Sequence, residues 1–307
     1  MHGRAVAGTL LMTLVWGASF AAMKFALQSG LSVGTMLSLR FSLGALCLGL
    51  LAWGQGLRFR RQELLDGIWL GLCLAAIIWF QADGLRFTTV SKSGFITGLY
   101  VIFTPMLSLA IGQRLRLSHG LGAVLAVAGL YLLVHEPGQP MGGWNRGDFE
   151  TLICAMVCGG QIVLTARCSR RGNPWSLAFI QVAVAAVISL AITACLPEPH
   201  GFALAPLAKP GVWIAIGYQA LLATALAFFL MMLLQAHLGA TEAAIIYSIE
   251  PIVSALLAMS GWVPGIKDSL RPLQLLGGAV ILGSMLLAEL GPRFLKWRME
   301  QGEDAIG

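Results

Sequence analysis

Long apolar runs set the rhythm of this chain of 307 residues. A helix needs about 20 predominantly apolar residues to cross the hydrocarbon core of a bilayer. Ten such runs follow one another, at roughly 5–27, 33–54, 67–86, 91–112, 118–135, 148–168, 175–196, 211–234, 240–261 and 272–290. They predict an all-α integral membrane protein with ten transmembrane helices. The polar breaks are short and carry turn formers: Gly54-Gln55-Gly56, Gly138-Gln139-Pro140, Pro197-Glu198-Pro199 and Pro264-Gly265. The longest breaks, 136–147 and 197–210, have no room for a soluble domain. The first run follows Arg4 and ends in small residues, as a secretory signal does. Its apolar stretch, Ala5 to Met23, exceeds the core of about 7–15 residues of a signal and reads as a first span.

Two of the runs carry a proline at matching depth. Ser91 to Gly112 holds Pro105, and Gly239 to Gly261 holds Pro251, about half the chain further on. A proline inside a helix kinks it, removes one amide and frees the carbonyl four residues back, here those of Val101 and Tyr247. In lipid a freed carbonyl needs a donor from another helix, a side chain or water. Broken helices in corresponding positions of two halves point to a substrate site at the repeat interface.

Composition agrees with the pattern. Hydrophobic residues make up 57% and charged residues 11%, where a soluble protein carries about 25% charge. Mean hydropathy is +0.80. The net charge of +6 sits in short loops, not on one face with interleaved aromatics, so a nucleic-acid partner is not expected. With the N-terminus inside, twelve Lys and Arg fall in inner segments and six in outer ones. That asymmetry predicts both termini cytoplasmic in an inner or plasma membrane, with 292–307 as a short cytoplasmic tail. Cys154 and Cys158 share a helix face, but no His or acid joins them. They read as packing residues, and no metal site or cofactor is expected.

The halves echo each other weakly. Arg40 aligns with Gln181, Gly67-Ile68-Trp69 with Gly211-Val212-Trp213, and Leu121-Gly122-Ala123-Val124 with Leu276-Gly277-Gly278-Ala279. Residues 1–138 hold the first five runs and 139–291 the second five. Five is odd, so the second repeat enters the membrane inverted, which is a transporter signature.

These residues resemble the EamA family of the drug/metabolite transporter superfamily over nearly the whole length. The likeness is carried by Trp16-Gly17-Ala18-Ser19-Phe20 with Lys24, by Arg40-Phe41 and by Ser93-Gly94-Phe95-Ile96-Thr97-Gly98-Leu99-Tyr100 leading to Pro105. In the second half it is carried by Ser248-Ile249-Glu250-Pro251 and by Leu275-Leu276-Gly277-Gly278-Ala279. The resemblance implies a ten-helix inverted repeat with alternating access. It also implies a central cavity lined by the first, third, fourth, sixth, eighth and ninth spans. Where such proteins often carry a Glu after the fourth and ninth spans, this chain has Gln113 and the stretch Val263 to Lys267.

Ionisable groups inside spans are the first site candidates, because each is expensive in lipid. Arg40 lies about 10 Å past the start of its span at 1.5 Å per residue, deeper than its stem comfortably snorkels. It is expected to face the cavity or to pair with an acid there. Lys24 and Asp83 lie near the outer ends of their spans, as a substrate clamp or as structural Asp83–Arg40 or Asp83–Lys24 pairs. The second-half counterparts of Lys24 and Arg40 fall near Thr165 and Gln181, so the basic cluster belongs to one half. Glu250 is the deepest carboxylate. Desolvation favours a neutral carboxyl, which makes it a candidate proton carrier or a partner for the broken helix turn. Its first-half counterpart, Thr104, cannot titrate.

Aromatic residues in cavity-facing spans extend the list: Trp16, Trp79, Phe80, Phe95, Tyr100 and Tyr247, with the two tyrosines the preferred substrate-facing pair. Trp53, Trp69, Trp213 and Trp262 sit near span ends and read as interfacial anchors.

The functional expectation is a secondary-active transporter of a small amphipathic metabolite, such as an amino acid or a hydrophobic cation. Protons or a counter-substrate are candidate partners besides the bilayer. An intramembrane enzyme would need a nucleophile with its base, or metal ligands, within spans. No such motif is present, and all five histidines lie at loops or span ends. A receptor or scaffold is disfavoured by the inverted repeat. A cavity cationic toward the outside on the first half and acidic near the midplane on the second would suit a zwitterion or a molecule with one charged end.

Overall fold

The computed structural model describes residues 2–54, 59–109, 117–135, 143–197, 200–238, 243 and 246–304, and the side chains up to residue 288. Every regular element among them is helical. In chain order they are α1 (His2–Gln28), α2 (Val33–Gly54), α3 (Arg61–Phe87), α4 (Val90–Gly98), α5 (Tyr100–Ser108), α6 (Leu117–Val134), α7 (Arg146–Cys168) and α8 (Pro174–Cys195). After a short turn of 3-10 helix come α9 (Pro210–Gly217), a π-helical segment (Tyr218–Leu226) and α10 (Ala227–Leu234), which run on as one rod. The last two are α11 (Glu250–Ser260) and α12 (Pro272–Asp304). Eight helices among the described residues are long and apolar enough to cross a membrane, two fewer than the ten runs expected. The apolar stretches of the other two runs are shorter, Glu250–Ser260 and Pro272–Ala288. Gln113, the break Gly138-Gln139-Pro140 and residues 239–242, 244 and 245 of the ninth run lie outside the described residues.

Three boundaries depart from the apolar pattern. Helix α3 starts at Arg61, ahead of its apolar run, because Glu63 in its first turn accepts from the Arg60 amide at 3.1 Å. The fourth run is not one helix but two, parted at Leu99. Helix α12 continues past its apolar part through the segment read as a solvated tail, as far as Asp304.

The two prolines are used differently. Pro105 lies inside α5, where the Thr104 hydroxyl donates to the Tyr100 carbonyl at 2.7 Å and Ser108 to the Thr104 carbonyl at 2.9 Å. Such back-bonding satisfies carbonyls near a broken turn. Pro251, expected in mid-helix, stands instead at the second position of α11. A proline there costs no intrahelical hydrogen bond, since the first-turn amides have no partner anyway.

Packing pairs the halves in a repeated pattern. Numbering the runs one to ten, the fifth packs on the tenth (α6 on α12), the second on the seventh (α2 on α8) and the fourth on the ninth (α4 on α11). The third packs on the sixth (α3 on α7) and the first on the eighth (α1 on the α9–α10 rod). Likewise the fourth meets the sixth (α5 on α7) as the ninth meets the first (α11 on α1). Exchanging the halves maps this set of contacts onto itself. Small residues permit the close approaches. A Cβ on Gly277 would lie 2.7 Å from the Gly129 carbonyl, and Gly98 packs against Pro251. The outer surface is apolar, as lipid requires, with Trp53 and Trp262 each 84% exposed. Trp69 and Trp213 are exposed as well. The polar residues turn inward: Gln81, Gln161, Gln181 and Gln219 are all buried.

Candidate functional site

At the centre of the bundle the helices enclose a cavity of about 70 Å³. Its walls come from the first, third, fourth, sixth, eighth and ninth runs, and from the second through Arg40 alone. A water molecule needs roughly 10–15 Å³ on this measure, so the cavity has room for a few waters.

Helix α1 supplies Trp16. Its indole nitrogen donates to the Ala223 carbonyl at 3.0 Å, and its ring tilts against Phe228 and Tyr247 at centroid distances of 5.4 and 6.0 Å. Helix α2 supplies Arg40, which is 1% exposed. Its Nε donates to the Thr224 hydroxyl at 2.8 Å, and its guanidinium stands 5.5 Å from the Phe41 ring centre. Its Nη1 is buried without a hydrogen-bond partner. It lines the cavity, and no acid pairs with it among the described residues.

The break between α4 and α5 places Tyr100 on the cavity wall. Its hydroxyl lies 3.0 Å from the Tyr247 carbonyl and 3.0 Å from Glu250 Oε2. The first of these acceptors lies four residues before Pro251, ahead of the first turn of α11. The second belongs to the first residue of α11. Tyr247 stands edge-on to Tyr100 at 6.4 Å, and its own hydroxyl reaches Gln235 Oε1 at 3.5 Å. Trp16, Arg40, Tyr100, Tyr247 and Glu250 therefore meet around one space.

The other sequence candidates lie elsewhere. Lys24 donates to the carbonyls of Leu85 and Thr88, the latter at 2.9 Å, and so caps the C-terminal end of α3. Asp83 pairs with Arg86 at 2.8 Å and Arg146 at 2.6 Å, not with Arg40 or Lys24. Arg86 is one turn along the same helix, and close packing of Gly84 on Gly147 brings the start of α7 to it. Trp79 tilts against the His200 ring at a centroid distance of 6.0 Å, apart from the cavity. Phe80 packs on the core. Phe95 lies against the face of Gly278, where an added Cβ would be 2.7 Å from its ring. Gln181, the counterpart of Arg40, is fully buried with both amide atoms unpartnered.

Several cavity residues carried no sequence signal. Gln81, Gln161 and Thr97 are uncharged, and Cys158, Phe228 and Met231 look like ordinary span residues. Buried amides in a span were the one available cue for the two glutamines.

A second ionic contact lies at the other end of α3. Arg171, in the turn between α7 and α8, meets the Asp66 carboxylate through Nη2 at 2.9 Å and Nε at 3.1 Å. That hydrogen bonding raises the Arg171 guanidinium above its ordinary value. Asn173, which caps α8, donates its amide to Glu63 at 2.9 Å.

Residues 3–135 and 145–290 each match the EamA-like transporter family. The chain belongs to the EamA-like transporter family. It is a multi-pass membrane transporter, and each of the two matches covers one half of the paired arrangement. Among its relatives is a protein of Archaeoglobus fulgidus described as an uncharacterized transporter. It is 29% identical over 284 residues, 92% of this EamA chain and 85% of that protein. A second protein of that organism with the same description is 25% identical over 205 residues, 66% of this chain and 68% of its own. A crystal structure of a further protein superposes with a TM-score of 0.67 at 19% identity, over 96% of this chain and 99% of that one. At that identity the likeness establishes the EamA fold and nothing about substrate.

Proposed function

We propose that this EamA protein is a secondary-active transporter that moves a small amphipathic metabolite across the cell membrane by alternating access. The observation that carries the reading is the central cavity, closed in by both halves and lined by Arg40, Glu250 and the aromatic rings of Trp16, Tyr100 and Tyr247. Ligand pockets of this kind are mostly apolar with a few placed polar groups. The contact pattern that survives exchange of the halves supports two five-helix repeats, 1–138 and 139–291. Five runs per half support an inverted arrangement, with both termini and the tail 292–307 cytoplasmic. Rocking of one half against the other would expose the cavity to each side in turn.

Glu250 is the candidate coupling group. It is the first residue of α11 and shares the Tyr100 hydroxyl with the Tyr247 carbonyl. A hydroxyl has one proton, so it cannot donate fully to both. If Glu250 is neutral it donates to Tyr100, which then donates to Tyr247; if ionised, it competes for the single proton. Proton exchange at Glu250 would thereby change how α11 is tied to α5.

The test is purified protein in proteoliposomes, assayed for uptake and counterflow against a panel of amino acids, hydrophobic cations and neutral amphiphiles. Saturable flux of one class, lost in Arg40→Ala and Glu250→Gln variants that still insert, is the expected result. Flux that both variants retain would remove the cavity from the transport path.

A further inference from the structure

We infer that Arg40 and Thr224 form a built anion subsite, which receives a carboxylate or similar anionic group of the transported molecule. This rests on the transporter reading and narrows its substrate class. The starting observation is an imbalance. A guanidinium has five donors, needs acceptors for them when buried, and stays charged inside a protein. Arg40 is almost completely buried and lines the cavity; among the described residues it has a single hydrogen-bond partner, Thr224, and its Nη1 has none. No carboxylate neutralises it among the described residues. Glu250, the one acid on the cavity wall among the described residues, is engaged with Tyr100. A buried cation left in this state is costly unless something else completes it. An anionic group seated in the cavity would supply the missing charge and the missing acceptor together.

The second observation is how the guanidinium is aimed. Thr224 belongs to the π-helical segment, a wider turn often found at functional sites. Adjacent residues of that segment hold two cavity side chains: the Ala223 carbonyl takes Trp16 and the Thr224 hydroxyl takes Arg40 Nε. Gly44, one turn past Arg40, allows the contact. A Cβ there would lie 3.0 Å from Thr224 Cγ2 and 3.2 Å from the Ala220 carbonyl. With Nε anchored on the segment, the Nη edge is left for a ligand. Thr224 is thus a positioning residue, and Arg40 is the group that touches the anion. The aromatic wall of Trp16, Phe228 and Tyr247 would take the apolar body.

The experiment uses the full chain in lipid nanodiscs, titrated with 3-phenylpropionate and with its uncharged match, 3-phenylpropanamide. Wild type is expected to bind the carboxylate about tenfold or more tighter than the amide, the size of one charge-assisted hydrogen bond. Thr224→Val is expected to weaken carboxylate binding more than amide binding and so erase that preference, and Thr224→Ser to restore it. Equal binding of the two probes by wild type, no carboxylate binding, or equal loss of both in Thr224→Val would overturn the subsite. Flux in proteoliposomes without preference for the carboxylate would refute the subsite and leave the transporter. Carboxylate preference without any flux would do the reverse.

Discussion

The Tyr100 hydroxyl lies 3.0 Å from the Tyr247 carbonyl oxygen, in the turn that leads into α11. A side chain of the first half thus holds the backbone of the second where it enters α11, at the wall of the central cavity. Tyr100→Phe keeps the ring and removes the donor. It leaves the carbonyl and Glu250 Oε2 without that partner, at a cost of about 1–3 kcal/mol for a buried unsatisfied group. The variant should melt at lower temperature in detergent and lose most of its flux. Unchanged melting and flux would mean that the hydroxyl bridges nothing of consequence.

Glu250→Gln keeps an oxygen able to accept from Tyr100 but cannot exchange a proton. It should retain substrate binding and insertion while losing its response to an imposed pH gradient in proteoliposomes. Wild type should respond. A variant stimulated by the gradient as strongly as wild type would show that the coupling proton travels elsewhere or that none does.

Much of this was legible in the order of residues because lipid imposes strong rules on it. Apolar runs of span length marked the helices, and the proline pair pointed to the site between the halves. The depth of Arg40 and Glu250 marked them as cavity candidates, and both line it. The pairing of charges was not legible. Asp83 was expected to meet Arg40 or Lys24, which share its side of the membrane, but depth alone does not say which helix stands beside which. Close packing of Gly84 on Gly147 delivers Arg146 to it, and Lys24 turns to the end of α3. The π-helical segment was hidden for a related reason. Its residues, Tyr218 to Leu226, are as apolar as an ordinary span, and the wider turn is visible only once its partners Trp16 and Arg40 are in place.

Glycines on helix contacts differ in what surrounds them, and stability should follow. A Cβ on Gly277 would meet backbone atoms at 2.5 Å (Leu133 N), 2.7 Å (Gly129 O) and 2.9 Å (Leu132 C). Backbone cannot swing aside as a side chain can, so α6 and α12 would have to part. Gly277→Ala should cost about 1–3 kcal/mol, the usual range for overpacking. Gly283, on the same helix, has nothing within 4 Å of an added Cβ. Gly283→Ala should be neutral or slightly stabilising, since alanine favours a helix by up to about 1 kcal/mol. Thermal unfolding of the two variants side by side is the measurement. Equal effects would mean that α6 and α12 are not in contact as described.

Helix α3 is fastened to the second half at both ends. Asp66 takes Arg171 near its N-terminus, and Asp83 takes Arg146 near its C-terminus at 2.6 Å. The cavity lies between the two contacts, beside Ile77, Ile78 and Gln81. Both arginines are partly exposed, 42% and 58%, while the aspartates are buried, so solvent screening leaves each pair little to add to stability. Their effect should show in the balance between states that differ by a few kcal/mol. Asp66→Asn should favour opening at one membrane face, and Asp83→Asn at the other. Cys158 on the cavity wall reports this. With the exposed Cys195 replaced by serine, a membrane-impermeant maleimide applied to right-side-out or inside-out vesicles should label Cys158 in one variant from one side and in the other from the opposite side. Labelling of both variants from the same side would show that the two ionic contacts do not close opposite faces.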